Sequence, residues 1–258
     1  MMRIVSLNVN GIRSADRKGF FDWIPKHNPD ILCLQETRIQ DHQMTDVMRT
    51  PPGMHAIYHH AQKPGYSGVA IYSKTKPDKV TVGLGWEEFD REGRFLQADF
   101  GRLSVVSLYM PSGSAKDERQ AFKYVCMERF AAWLEKMRAS KRNVVVCGDW
   151  NIAHTKKDIK NWRGNQKQSG FLPEEREWMS KVFGELGWTD AYRSLYPEAE
   201  GEGYTWWSNR GQAYANNTGW RIDYQVCTPG LAKKATASSV YKDVRLSDHA
   251  PLTVDYDL

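Results

Sequence analysis

The sequence predicts an α/β protein in which two β-sheets pack together with helices outside. Two observations predict it. Short apolar runs recur along the 258 residues, most of them separated by glycine, proline or polar clusters. Helical patterns are few, and only one of them is long. A third feature concerns chemistry. Several apolar runs stop abruptly on an acid or an amide, most clearly Val144-Val145-Val146-Cys147-Gly148-Asp149-Trp150-Asn151.

In chain order, strands are expected near Arg3–Asn8, Ile31–Glu36, Val69–Ser73, Val80–Gly83, Arg94–Phe100, Ser104–Tyr109, Val144–Asp149, Ile222–Val226, Ser238–Tyr241 and Leu252–Tyr256. Phe20, Phe21, Trp23 and Ile24 mark one amphipathic helix. Residues Ala115–Ala139 form the long one, with Phe122, Val125, Cys126, Phe130, Trp133, Leu134 and Met137 on one stripe. Pro173 followed by Glu174 and Glu175 opens another, since proline and acids both suit a helix N-terminus. Thr155–Gly170 is rich in Lys, Asn and Gln and reads as a long functional loop. No linker or low-complexity tract divides the chain, so residues 1–258 read as one catalytic domain.

Composition sets wider bounds. Formal net charge is +5, which favours a polyanionic partner without requiring one. None of the 4 Cys forms a C-x-x-C pair, and they read as reduced buried thiols of a cytoplasmic protein. No apolar run is long enough to cross a bilayer, so a membrane role is not expected. No phosphate-cradling G-x-x-x-x-G-K-[ST] occurs, which excludes a P-loop NTPase. Gly65-Tyr66-Ser67-Gly68-Val69 lacks the last glycine of a nucleophile elbow. His59-His60 has no third metal ligand at suitable spacing, and surface imidazoles account for it.

Polar groups gathered at strand ends suit metal-assisted phosphate chemistry. A hard divalent cation takes oxygen ligands and stabilises charge on phosphorus. Glu36 is suited to hold it, with Asn8 or Asn10 beside it. Asp149 is the candidate base for an attacking water, helped by Asn151, and the two share alternation parity. Tyr109 ends a strand and is placed to donate to a phosphate. His249 needs a carboxylate to orient it. Asp248 is adjacent but would project to the other side of an extended segment, so Asp223 is the better partner. Of the 10 Trp, Trp133 and Trp188 suit the core, whereas Trp206, Trp207 and Trp220 lie among polar residues and are candidates for stacking. Lys156, Lys157, Lys160, Trp162, Arg163 and Lys167 interleave positive charge with an aromatic, a pattern that fits a phosphate backbone. Arg210 could enter a groove. These two segments are expected to flank the strand ends that carry the acids.

The chain resembles the exonuclease III family of DNA repair nucleases, within the endonuclease/exonuclease/phosphatase superfamily. The resemblance runs nearly end to end. It rests on Asn8-Val9-Asn10-Gly11-Ile12-Arg13, Leu34-Gln35-Glu36-Thr37, Tyr66-Ser67-Gly68-Val69-Ala70, Cys147-Gly148-Asp149-Trp150-Asn151, Gly219-Trp220-Arg221-Ile222-Asp223-Tyr224 and Ser247-Asp248-His249-Ala250-Pro251. It implies a four-layer α/β sandwich, two packed mixed β-sheets flanked by helices, with the site at one end. It implies Mg²⁺, with Mn²⁺ able to substitute, held by Glu36 with Asn8 or Asn10, and with Asp149, Asn151, Asp248 and His249 as further candidate ligands. In that reading Asp149 orients or deprotonates the water and Asn151 contacts the phosphate. Tyr109 and His249 stabilise the transition state. Asp223 holds His249, and Asp248 lies near the metal. Trp206, Trp220 and Ile222 match a pocket for an abasic deoxyribose, Arg210 enters the duplex, and small Ser169 leaves room for the sugar. The implied partner is double-stranded DNA, and nothing demands more than a monomer. A phosphatase acting on a small ester and a catalytically silent nucleic-acid-binding module are the alternatives. The Trp-rich Tyr204–Asp223 segment argues against the first, and the complete polar set argues against the second.

Overall fold

The computed structural model describes residues 1–114 and 116–258. The strands are β1 (Met2–Asn8), β2 (Ile31–Gln35), β3 (His55–His59), β4 (Val69–Ser73), β5 (Lys79–Val82), β6 (Phe95–Phe100), β7 (Leu103–Tyr109), β8 (Asn143–Asp149), β9 (Thr189–Asp190), β10 (Trp206–Trp207), β11 (Gly219–Trp220), β12 (Asp223–Cys227), β13 (Ala235–Val240) and β14 (Leu252–Tyr256). They build two six-stranded sheets, ordered β13-β14-β1-β2-β4-β3 and β5-β6-β7-β8-β12-β9, and a small ribbon of β10 and β11. Each large sheet has one parallel pair at its centre, β1 with β2 and β7 with β8, and antiparallel neighbours elsewhere.

The central strands are buried on both faces, which is why they read as unbroken apolar runs. In β8, Val145 and Cys147 face the other sheet, together with Ile4, Cys33 and Val105. Val144 and Val146 face the opposite way, toward Phe130 and Leu134 of helix Asp117–Ala139 and Met179 and Val182 of helix Pro173–Phe183. Across the molecule, Val5, Leu7, Leu32 and Leu34 pack on Phe20, Trp23 and Ile24 of helix Phe20–His27. Helix, sheet, sheet and helix therefore form four layers. Gly148 lets the parallel strands approach, because a Cβ there would stand 1.9 Å from the Leu108 carbonyl oxygen.

The inter-sheet layer turns polar toward the carboxyl ends of the two parallel pairs. Gln35 Nε2 donates to Ser107 Oγ at 3.0 Å, and Ser107 Oγ donates to the Leu34 carbonyl at 2.8 Å. One residue pair further on lie Asn8, Tyr109 and Asp149, on the same inward faces.

Several expectations need correction. Strand β3 went unread, because its two histidines break the apolar pattern of His55–His59. His59 and His60 are half-buried rather than surface groups: His59 Nδ1 meets the Phe95 carbonyl at 2.8 Å, and His60 stacks on Tyr58. The long helix begins at Asp117, and Ala115 lies outside the described residues. Its buried stripe takes in Lys123 and Met127, whereas Val125 is 46 % exposed. Trp207 is buried against Tyr204 and Ala250 and offers no stacking face.

Candidate active site

Six segments converge on one cleft at the polar end of the inter-sheet layer. Asn8 and Tyr109 end β1 and β7, Asp149 ends β8, and Glu36 follows β2. Antiparallel pairing sets Asp223, the first residue of β12, directly opposite Asp149. His249 stands before β14 and forms an isolated bridge with Trp206 of β10. The cleft holds a cavity of about 330 Å³, whose walls include Glu36, Tyr109, Asp149, Asn151, Asp248 and His249.

Hydrogen bonds fix the carboxylates. The Asn8 amide donates to Glu36 Oε2 at 3.0 Å and to Asp149 Oδ2 at 2.9 Å, so one buried side chain ties both acids. The Asn10 amide donates to Asp248 Oδ1 at 2.9 Å, and Trp206 Nε1 donates to Asp248 Oδ2 at 3.2 Å. Asp149 Oδ1 accepts the Asn151 backbone N–H at 2.9 Å, and the Asn151 amide donates to the Met110 carbonyl at 2.8 Å. Asn151 reaches the cleft through a left-handed turn at φ +53° rather than by strand alternation. Glu36 and Arg38 are also left-handed, at φ +55° and +49°. With Asn10 at φ +44°, four non-glycine residues of the cavity lie in that region and mark a strained rim.

The electrostatics divide the protons. Burial alone would lower the His249 imidazole, but the charges of Asp223 and then Asp149 lift it to about 10. Its Nδ1 donates to Asp223 Oδ2 at 2.8 Å, which leaves Nε2 facing Asp149 Oδ2 at 3.7 Å. Burial pushes the Asp149 carboxyl up to about 7, and the charge of Asp223 adds to the effect. The Tyr109 phenol is held well above its ordinary value by burial and by the charge of Glu36. Burial works in the same sense on Asp248, yet the His249 charge and three donated hydrogen bonds bring its carboxyl below the usual range.

An apolar wall closes one side. Trp206 and Trp220 meet edge to face with centroids 6.0 Å apart, and Ile222, Ser169 and Gly170 complete the surface.

The match to known proteins follows this geometry. The endonuclease/exonuclease/phosphatase family matches residues 5–249. The chain belongs to that family. It is 39% identical over 252 residues to an exodeoxyribonuclease of Bacillus subtilis, covering 97% of this chain and 98% of that one. Its fold superposes on an AP endonuclease from Archaeoglobus fulgidus with a TM-score of 0.91 and 30% identity, over 100% of both chains. A 3′ phosphatase from Neisseria, solved with a product DNA hairpin, gives 0.90 and 27%, again over 100% of both chains.

As a member of this family, the chain carries a buried acid and histidine group that could hold a metal ion, formed by Asp149, Asp223 and His249. The donor chemistry points elsewhere in the cleft. His249 holds its proton, and its Nδ1 is committed to Asp223. Glu36, Asn10 and Asp248 offer the oxygen donors that a hard cation prefers. They fit such an ion better.

Among the sequence candidates, Asn10, Glu36, Tyr109, Asp149, Asn151, Ser169, Trp206, Trp220, Ile222, Asp248 and His249 line the cavity, with Asn8 and Asp223 bonded behind them. The cavity does not include Lys157, Lys160, Trp162, Lys167 or Arg210. Lys157 Nζ pairs with Glu198 at 2.7 Å and lies along a separate groove. Trp162 sits beneath Lys156 and Arg163 and packs beside Ile159 and Phe171. Lys160 donates its backbone N–H to the Gly219 carbonyl, which ties the loop to the Trp220 wall. Arg210 is exposed. The sequence reading missed Arg38, whose guanidinium donates to Glu36 Oε1. Its place two residues after the acid was the only available signal. It also missed Thr205, whose hydroxyl accepts the N–H groups of Ile222 and Asp223.

Proposed function

We propose that this protein hydrolyses phosphodiester bonds in duplex DNA for base excision repair. It acts as a 3′–5′ exodeoxyribonuclease that also clears blocked 3′ ends and cuts beside abasic sites. One observation carries the reading. A base-like acid, a protonated histidine and a cation-suited acid share one cleft with an aromatic wall. The relatives named above are an exodeoxyribonuclease, an AP endonuclease and a 3′ phosphatase, which agrees with it.

The residues divide the work. Asp149, with its carboxyl near neutrality, takes a proton from the attacking water. Asn151 contacts the phosphate. His249 meets the phosphate as an imidazolium, and Asp223 holds its ring in place. Tyr109 keeps its proton and donates it in a hydrogen bond. Glu36, with Asn8 or Asn10 and Asp248, would hold Mg²⁺, for which Mn²⁺ could substitute. Bound there, such an ion would supply charge stabilisation at phosphorus and at the leaving oxygen. Trp206, Trp220 and Ile222 receive an abasic sugar. Lys157, Lys160, Trp162, Lys167 and Arg210 lie outside the cavity, and any DNA contact they make is to the flanking duplex. The protein works as a monomer in the cytoplasm, at the nucleoid. No helix among the described residues is long and apolar enough to cross a membrane.

The test uses a duplex with one abasic analogue and a labelled 3′ end. The expected result is incision and 3′ nucleotide release that EDTA abolishes and Mg²⁺ restores. Hydrolysis of a soluble phosphomonoester alone, with the duplex left intact, overturns the proposal.

A further inference from the structure

A fully buried ion pair lies just behind the cleft and takes no part in the chemistry above. Lys123 on helix Asp117–Ala139 and Glu175 on helix Pro173–Phe183 are both 0 % exposed, with Nζ 2.5 Å from Oε1. Burial lowers the Lys123 ammonium, and Glu175 opposes that. Two charges without water are costly, and apolar side chains of similar volume often replace such pairs without loss. Simple adhesion between the helices does not require this pair.

Its other contacts show what it holds. Lys123 Nζ donates to the Asn151 carbonyl at 2.8 Å. Glu175 Oε2 accepts the backbone N–H groups of Gly170 at 2.6 Å and Leu172 at 3.1 Å. The pair thus spans two loops that each line the cavity, one through Asn151 and one through Ser169 and Gly170. These loops are in close register. Ala153 N–H donates to the Gly170 carbonyl at 2.8 Å. A Cβ on Gly170 would stand 3.2 Å from both the Asn151 carbonyl and the Trp220 ring, so little free space separates them. Asn151 is itself in a left-handed conformation that needs outside support.

We infer that Lys123 and Glu175 are positioning residues: their buried pair bolts the Asn151 loop to the Ser169–Gly170 loop and so sets how an abasic sugar seats against the Trp220 wall. The inference rests on the function proposed above. A shift of about 1 Å at such a wall can cost about 100-fold in rate.

The test compares the parent with the double variant Lys123→Met/Glu175→Gln. The replaced pair is neutral, and the glutamine amide oxygen remains an acceptor for the two loop N–H groups. Lys123→Arg serves as the conservative control. Hydrogen exchange is followed in peptides covering residues 149–153 and 168–172, with β8 as the internal reference. Rates of abasic incision and 3′ nucleotide release are resolved into kcat and KM. The double variant is expected to exchange at least tenfold faster in both loops while β8 keeps its protection. Its kcat for incision should fall at least tenfold, and further than that for 3′ release, with Lys123→Arg recovering part of the loss. Unchanged exchange in both loops overturns the inference. Loosened loops with a parent ratio of the two activities also overturn it. A parent protein silent on both duplexes defeats the proposed function instead, and the exchange arm still decides whether the bolt exists.

Discussion

His249 donates its Nδ1 proton to Asp223 Oδ2 at 2.8 Å; Asp223 is fully buried, and the His249 ring is sheltered except where it lines the cleft. The pairing keeps the ring charged and fixes which nitrogen faces the cleft. Asp223→Asn removes the main charge that lifts the imidazole to about 10. The alkaline limb of kcat, expected near pH 10 in the parent, should move toward neutrality in the variant. At pH 8 the loss should be on the order of 100-fold or more. A pH–rate profile of both proteins checks this, and superimposable profiles refute it.

The same groups make stability depend on pH. His249 binds its proton more tightly folded than unfolded, since its ordinary value of 6.5 rises to about 10. Its stabilisation is complete below about pH 6.5 and is lost as pH rises through 10. Asp149 is also raised, from 3.8 to about 7, so its contribution falls as pH rises through that window. Both slopes have one sign. In EDTA, the unfolding free energy from urea titration should decline between pH 7 and 10 by an amount on the order of a few kcal/mol. Asp223→Asn should flatten that decline. Stability that climbs over this range contradicts the protonated histidine.

Asp149→Asn keeps the shape of the side chain and its contact with the Asn8 amide but removes the proposed base. Single-turnover incision should slow by about 10³-fold, which corresponds to about 4 kcal/mol. Duplex affinity measured in EDTA should hold or improve, because one negative charge is gone. Unchanged turnover would show that the water loses its proton elsewhere.

Asp158 belongs to the basic loop yet acts as structure. Its carboxylate is fully buried between Arg221 Nε at 2.7 Å and Arg193 Nη2 at 2.6 Å, and it accepts the Thr155 N–H at 2.8 Å. Burial alone would raise it, but the Arg221 guanidinium overcomes this and holds it far below the usual carboxylate range. Asp158→Asn leaves the buried Arg221 guanidinium with Asp190 as its remaining carboxylate, 2.7 Å away, and takes the carboxylate from Arg193, at a cost of about 3 kcal/mol. The melting temperature should fall by about 10 °C. Well below the transition, kcat should stay within threefold of the parent.

The strand ends were legible because buried parallel strands read as apolar runs, so an acid or amide that stops one stands out. Asp149, Glu36 and Asn8 were found in that way. The partner of His249 was readable for a similar reason, since β12 sets Asp223 opposite Asp149. Strand β3 was hidden by its histidines. Lys123 was hidden because a lysine within a helix reads as surface until the second helix covers it. The basic loop was legible in place but not in detail, since it reaches the cavity through Asn165, Gln168, Ser169 and Gly170 rather than through its lysines. Composition reports charge but not direction, and Lys157 turns toward Glu198 rather than the cleft.

Ser169 tests whether the shape of the wall selects the substrate. It lines the cavity beside Gly170 and Trp220, and its Oγ would stand only 2.6 Å from a Cβ placed on Gly113. Its hydrogen bond to Glu175 Oε1 is long, at 3.4 Å, so the hydroxyl contributes little and Ser169→Ala should leave both activities near parent values. Ser169→Leu adds volume where the proposed seating puts an extrahelical sugar. In the same proposal, removal of a terminal nucleotide makes less demand on that side of the cleft. Abasic incision kcat/KM should therefore fall at least tenfold further than 3′ release, mostly through KM. Equal losses in the two assays would mean that the leucine disturbs the loop rather than filling the pocket.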